Sequence, residues 1–212
     1  MKPYKMAIFD LDGVIVDTAK YHYFAWRELA GRLGFEFTPE QNERLKGVSR
    51  MRSLEILLEA GGMADKFSES EKDAMAAGKN SRYVSYISGL KENEILPGSR
   101  ELLTRMREQG VKTGLGSASK NTPLILERLH ITRLFDVIID GNSTSKAKPD
   151  PEVFLLCAYA MDIPAADCLV FEDAQAGIDA AIAGGMTPIG VGSPANLTGA
   201  AMYISNLAEF KY

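Results

Sequence analysis

Two cysteines in 212 residues, Cys157 and Cys168, form no C-x-x-C pair. A reducing compartment fits that pattern better than a disulfide framework does. Basic charge is not in excess either: 24 Lys and Arg stand against 28 Asp and Glu, a net charge of −4. A chain of this balance lacks the footprint of a nucleic-acid binder, so any anion it binds must be held by a few local cations. No apolar run approaches membrane-spanning length, and the opening MKPYKMAIFD reaches charge too soon for a signal-peptide core. The expectation is a cytoplasmic protein, in which the triplets Asn142-Ser143-Thr144 and Asn196-Leu197-Thr198 carry no weight as glycan acceptors. Internal repeats and low-complexity segments are absent, and so is a G-x-x-x-x-G-K-[ST] string, which removes a P-loop kinase. GLGSAS at 114–119 falls short of the dinucleotide fingerprint, because Ser119 takes the third glycine's place and no ribose-binding acid follows about twenty residues on.

What remains is an ordinary globular composition, 46% hydrophobic and 25% charged, enough for a sizeable core. Short apolar runs at 5–10, 111–117, 136–140, 168–173 and 188–192 read as buried strands. Helical patterns at 99–109, 121–129, 151–161 and 175–183 lie between them. That alternation predicts an α/β fold, a doubly wound parallel sheet with helices on both faces. Residues 17–88 break the pattern. Tyr21, Phe24, Ala25, Leu29 and Leu33 are spaced for an amphipathic helix over 18–32, with further helices at 39–46, 51–60 and 68–87 and no strand. The plan is an α/β core of 1–16 and 89–212 with a helical cap domain, 17–88, inserted through two linkers. Pro97 and Gly98 mark the re-entry.

In open parallel sheets, ligands bind beyond the carboxyl ends of the strands. The polar groups expected there are Asp10 and Asp12, one residue apart in AIFDLDGVIVDT; Ser117, followed by Ser119, Lys120 and Asn121; Lys148 in SKAKPDP; and Glu172 with Asp173 in LVFED. Four clustered carboxylates cannot all stay ionised without a cation, and oxygen-only ligands suit Mg²⁺. A lysine and a hydroxyl beside such an ion suit phosphoryl oxygens, so the set points to phosphoryl transfer.

FDLDGV, the serine of GLGS, Lys148-Pro149 and Glu172-Asp173 resemble, in order and spacing along the whole chain, the four motifs of the haloacid dehalogenase-like phosphotransferases. That resemblance implies a Rossmann-like core with the helical type of cap. It makes Asp10 the nucleophile, forming an aspartyl-phosphate, and Asp12 the general acid/base. Ser117, Ala118 and Lys148 become the phosphate-binding residues. Asp10, Asp12 through its backbone carbonyl, Glu172 and Asp173 become the Mg²⁺ ligands. LKGVSRMRSLE at 45–55, with His22 and Trp26 before it and SASKN at 117–121, is similar to the β-phosphoglucomutase family. The likeness implies that Arg50 holds a substrate's second phosphate, helped by Ser119, Lys120 and Asn121. It also implies that Trp26, Lys46, Gly47, Val48, Ser49 and Ser53 line the sugar side. Lys79 matches a further cap lysine, Asp17 and Thr18 fall at the hinge, and His22 couples cap closure to the general acid. The implied reaction interconverts β-glucose 1-phosphate and glucose 6-phosphate through β-glucose 1,6-bisphosphate. Independently of the likeness, the acidic balance and the lack of a heptad suggest a monomer, with neither nucleic acid nor membrane as partner.

Other readings stand beside these. Trp26 equally suits cap packing, His22 and His130 suit structural roles, and Lys46 and Arg52 suit a solvated cap face. Ala174 stands where the mutase has a small hydroxyl. The alternatives for the chain are a Mg²⁺-dependent sugar-phosphate phosphatase of the same fold, or a non-catalytic member that binds a phosphosugar or a protein partner. Intact Asp10, Asp12, Lys148, Glu172 and Asp173 count against the last, since a binding module needs no nucleophile beside an acid/base.

Overall fold

A computed structural model describes residues 4–45 and 48–211. The chain divides into two compact units, one of Met1–Asp17 with Leu90–Tyr212 and one of Thr18–Gly89.

The first unit is a six-stranded, all-parallel sheet ordered β3-β2-β1-β4-β5-β6. Its strands are β1 (Met6–Phe9), β2 (Lys112–Gly116), β3 (Val137–Ile139), β4 (Cys168–Glu172), β5 (Thr187–Val191) and β6 (Met202–Ile204). β1 and β4 are buried at every position, as strands covered on both faces must be. Helices α5 (Ser99–Glu108), α6 (Thr122–Arg128), α7 (Glu152–Ala160) and α8 (Gln175–Ala183) carry the crossovers. Met6, Ile8, Val170 and Phe154 share one core cluster, while Phe9 stacks on Phe171, which meets Phe210 edge-on. β1 has β2 on one side and β4 on the other, so the winding direction reverses between β1 and β4, the position at which a crevice opens beyond the strand ends.

β6 has no counterpart among the expected strands. It follows a connection without a helix, so the strand–helix alternation that marks the equally short β3 does not mark it. It pairs with β5 where Gly190 makes room: a Cβ there would lie 2.7 Å from the Tyr203 ring.

The second unit contains α1 (Ala19–Arg32), α2 (Pro39–Glu43), α3 (Arg50–Ala60) and α4 (Glu69–Ile87). Thr38 with Gln41 and Ser68 with Glu71 form capping boxes, and Ser49 accepts a hydrogen bond from Arg52 N at the start of α3. The buried stripe of α1 is Ala25, Trp26, Leu29 and Ala30. It differs from the expected face by excluding Tyr21 and Phe24, which join Tyr86 in an aromatic cluster at the surface. Trp26 instead packs with Leu29, Phe37, Leu54 and Leu57.

Candidate active site

Asp10 follows β1 directly, and its backbone N–H donates to Phe171 O at 2.9 Å. Because β1 and β4 run parallel in register, this places Asp10 beside Glu172 and Asp173 at the switch point. A carboxylate oxygen from each of Asp10, Glu172 and Asp173 lies within 4.8 Å of the others. Lys148, from the loop before α7, donates from Nζ to Asp10 Oδ1 at 2.6 Å and to Glu172 Oε2 at 2.7 Å. Its ammonium also sits 4.7 Å from the centre of the Phe154 ring.

Burial disfavours the Lys148 charge, but Asp10 and Glu172 outweigh it and raise the pKa above the ordinary lysine range. Glu172 is pushed up as well, first by burial and then by repulsion from Asp10, against the pull of Lys148. Three carboxyl groups, two buried and that of Asp173 half-buried, gather around a single ammonium, so acidic groups outnumber the cation. A small divalent cation with oxygen ligands matches both the charge and the donor set, so these residues fit Mg²⁺. The Asp12 side chain is not among the three. It lies in a tight turn in which Gly13 N and Val16 N donate to Val16 O and Leu11 O, at 2.9 and 3.1 Å.

Ser117 ends β2 and is buried. Its Oγ accepts from Ser119 N at 3.1 Å, which leaves the hydroxyl proton to donate elsewhere. Ala118 beside it is exposed and can contribute only backbone groups. Asn121 N donates to Ser119 Oγ at 3.2 Å, and Thr122 Oγ1 to Ser119 O at 2.8 Å, so Ser119, Lys120 and Asn121 form a hydrogen-bonded turn leading into α6.

Within the helical unit, α1 and α4 gather three of the expected residues. Lys79 Nζ is 2.8 Å from His22 Nδ1 and lies 4.3 Å from the Trp26 ring centre, while His22 stacks on Tyr83 at 3.9 Å. Burial, then Lys79 and Arg50, hold the His22 pKa well below its ordinary value. The neutral ring accepts at Nδ1 from the Lys79 ammonium. Arg50 is the first residue of α3, and its own pKa is lowered by partial burial. Ser53 Oγ donates to Ser49 O at 3.0 Å, so both serines already serve the helix start. Val48 is half-buried against the insert's core, and Lys46 and Gly47 lie outside the described residues. Asp17 and Thr18 stand on either side of the junction between units. The Thr18 hydroxyl is buried and makes no hydrogen bond among the described residues, although Thr18 occupies the N-cap position of α1. His130, two residues beyond α6, has a left-handed backbone with φ 54°.

Two glycines not singled out in the sequence complete the carboxylate cluster. Gly13 has φ +84°, and a Cβ on it would lie 2.1 Å from Asp173 Oδ2. Gly177, in α8, would place a Cβ 2.0 Å from the Glu172 carboxyl carbon. The Asp-Gly pair was a signal for the first; only the tertiary packing reveals the second. An expected result separates local propensity from packing. Gly78→Ala, with nothing within 4 Å of the new Cβ, should stabilise the chain by about 0.5–1 kcal/mol, the usual glycine-to-alanine gain in a helix. Gly177→Ala should instead lower the melting temperature and weaken Mg²⁺ binding, because Glu172 must move. Equal stabilisation by both, read by thermal unfolding and metal titration, would mean that Glu172 is not held against Gly177.

A family model described as haloacid dehalogenase-like hydrolase matches residues 4–185. β-Phosphoglucomutase of Bacillus subtilis is 42% identical over 97% of this chain and 91% of its own. The crystal structure of β-phosphoglucomutase from Clostridium difficile superposes with a TM-score of 0.94 at 44% identity, covering 99% of this chain and 94% of that one. A phosphorylated carbohydrates phosphatase of Thermotoga maritima is 33% identical over 86% of this chain and 82% of its own.

Proposed function

The chain belongs to the haloacid dehalogenase-like hydrolase family, and on that premise we propose that it is a β-phosphoglucomutase, a phosphotransferase interconverting β-D-glucose 1-phosphate and glucose 6-phosphate. The observation that carries this reading is the buried Asp10–Lys148–Glu172 bridge with Asp173 beside it, at the switch point of a chain similar to β-phosphoglucomutases over almost its full length.

In the proposed cycle, one Asp10 carboxylate oxygen attacks the phosphorus of a sugar phosphate. The bond from phosphorus to the sugar oxygen breaks, and Asp12 protonates the departing oxygen. In the reverse direction Asp12 removes the proton from a sugar hydroxyl as that oxygen attacks the aspartyl-phosphate. Phosphorylated Asp10 thus converts β-glucose 1-phosphate to β-glucose 1,6-bisphosphate. After the sugar turns round, Asp10 takes the phosphate from the 1-position, releasing glucose 6-phosphate and restoring the phosphoenzyme. Lys148 and the Ser117 hydroxyl donate to the phosphoryl oxygens. Asp10, Glu172, Asp173 and the Asp12 backbone carbonyl are the residues that would hold Mg²⁺, which when bound neutralises charge developing on the phosphoryl group. A trace of sugar bisphosphate acts as activator by phosphorylating Asp10.

Turning the sugar round requires a grip on the phosphate that is not being transferred. Arg50 is assigned to it for its planar, bidentate donor pattern, with Ser119, Lys120 and Asn121. Asp17 and Thr18 are assigned to the hinge. His22, Trp26, Lys46, Gly47, Val48, Ser49, Ser53 and Lys79 remain the candidates for the sugar side.

The phosphatase similarity makes hydrolysis the competing reading, with water as acceptor. With Mg²⁺ and a trace of β-glucose 1,6-bisphosphate, the expected result is conversion of β-glucose 1-phosphate to glucose 6-phosphate with little free phosphate. Free phosphate as the main product would assign a phosphatase. Arg50→Ala should cut mutase kcat/KM by about 10²-fold, the loss of a charged bidentate contact, yet change aryl phosphate hydrolysis far less. Equal losses would remove Arg50 from the second phosphate.

A further inference from the structure

The β2–β3 ladder does not end with the strands. Ser117 N donates to Ile139 O at 3.0 Å, and Gly141 N then donates back to Ser119 O at 3.3 Å. A third rung is made by a side chain: Asn142 Nδ2 donates to Lys120 O at 3.1 Å. The same amide donates its other hydrogen to Asp140 Oδ2 at 3.0 Å, while Asp140 Oδ1 accepts from Asn142 N at 2.9 Å. Asp140 is buried and Asn142 exposed, so the carboxylate is a fixed anchor and the amide spans from it to the neighbouring turn. Fit between the two loops is close. A Cβ at Gly141 would stand 2.4 Å from Ala118 O, a backbone atom that cannot step aside.

The turn so held carries Ser119, Lys120 and Asn121, and among the described residues the Lys120 ammonium has no carboxylate partner. We propose that Asn142 is a positioning residue for substrate: its amide locks turn 118–121 so that the turn's donors meet the sugar phosphate's non-transferring phosphate. This inference rests on the phosphosugar reading above. It adds a residue that contacts neither the reacting atoms nor the sugar and acts through the Lys120 carbonyl. Preorganisation is the physical benefit, since a turn already ordered loses less freedom when phosphate binds.

Two variants and two readouts test it. Asn142→Ala removes both amide hydrogen bonds, and Asn142→Asp also sets a second carboxylate against Asp140. Hydrogen exchange of the metal-bound, substrate-free protein should show faster exchange at the amides of 118–121 and 141 in both variants, more so in Asn142→Asp. The KM for β-glucose 1-phosphate should rise about five- to tenfold in Asn142→Ala, the size of one or two lost hydrogen bonds, with kcat changed less than about twofold. Aryl phosphate hydrolysis, which uses only the transferring site and touches the turn only at Ala118, should fall less than mutase kcat/KM. Unaltered exchange would overturn the lock. Faster exchange with an unchanged KM would overturn its role in binding, as would equal damage to aryl phosphate hydrolysis. If wild-type protein lacks mutase turnover, the functional reading fails and the binding role with it, while the exchange rates still decide whether Asn142 orders the turn.

Discussion

Asp10→Asn is expected to abolish turnover, by at least about 10⁴-fold, in a protein that still folds. The amide has no anionic oxygen to attack phosphorus, so the covalent step is lost outright. The fold should survive because the backbone pairing of residue 10 with Phe171 is untouched and the Asn Oδ1 can still accept from Lys148. The electrostatics even lean towards stability. Repulsion from Asp10 helps to raise the Glu172 pKa, and the variant removes that repulsion while Glu172 keeps its bond to Lys148. The melting temperature of the metal-free variant should therefore stay within a few degrees of wild type, and Mg²⁺ affinity should fall with the loss of one anionic ligand. Intact-mass spectrometry after incubation with a sugar bisphosphate supplies the direct check. A phosphoryl adduct should appear in wild type and be absent from Asp10→Asn; an adduct of equal yield in both would place the nucleophile elsewhere.

Lys148→Met should cause the largest loss of stability. Methionine fills a similar volume, but it leaves Asp10 and Glu172 facing each other in a buried site with no counter-charge. Removing one partner of a buried ion pair costs about 3–5 kcal/mol, several times the effect of a surface pair. For a chain of this size that corresponds to a drop of roughly 10 °C in melting temperature for the metal-free protein. The pH dependence follows from the direction of the Glu172 shift. A carboxyl whose folded pKa lies above its unfolded value contributes stability that is present below the unfolded pKa and is lost as pH rises through the folded one. Without Lys148 the folded pKa rises further, so the Glu172 part of the deficit should open as pH rises through about 8 and should level off below that pH, where Glu172 is protonated in both folded proteins. Mg²⁺ should recover part of it by supplying the missing positive charge, and recovery should grow with concentration as mass action requires. Thermal unfolding at two pH values, with and without Mg²⁺, reads all of this. A variant as stable as wild type at high pH without metal would show that Lys148 does not balance the carboxylates. Turnover should fall as well, since the same ammonium is assigned to the phosphoryl oxygens.

Legibility in the sequence followed the physics of each element. β1 and β4 were readable because strands buried on both faces are continuous apolar runs, and both end in acid where the chain leaves the sheet. The eight α-helices among the described residues were readable from apolar spacing and from turn residues such as Pro97-Gly98. The edge strand β6 was not, because no helix precedes it to continue the alternation that revealed the equally short β3, and its place is set by pairing with β5. Around the site, Asp10, Asp12, Ser117, Lys148, Glu172 and Asp173 stood out because ionisable or hydroxyl groups at strand ends are costly without a task. Gly177 and Asn142 did not, since one matters for an atom it lacks and the other for a hydrogen bond from its amide to a loop 22 residues away.

The sequence by itself determined the α/β class, the helical insertion after the first strand, and the kind of chemistry a nucleophilic carboxylate, a lysine and paired acids can perform. All three follow from local pattern and residue type. Only the tertiary structure decided that Lys148 bridges Asp10 and Glu172, residues 138 and 24 positions away, because sheet order rather than chain distance brings those strand ends together. It alone also decided that Trp26 lies inside the helical unit's core while Phe24 faces out. Spacing along a helix predicts a stripe, but the neighbouring helices choose which side of that stripe is covered.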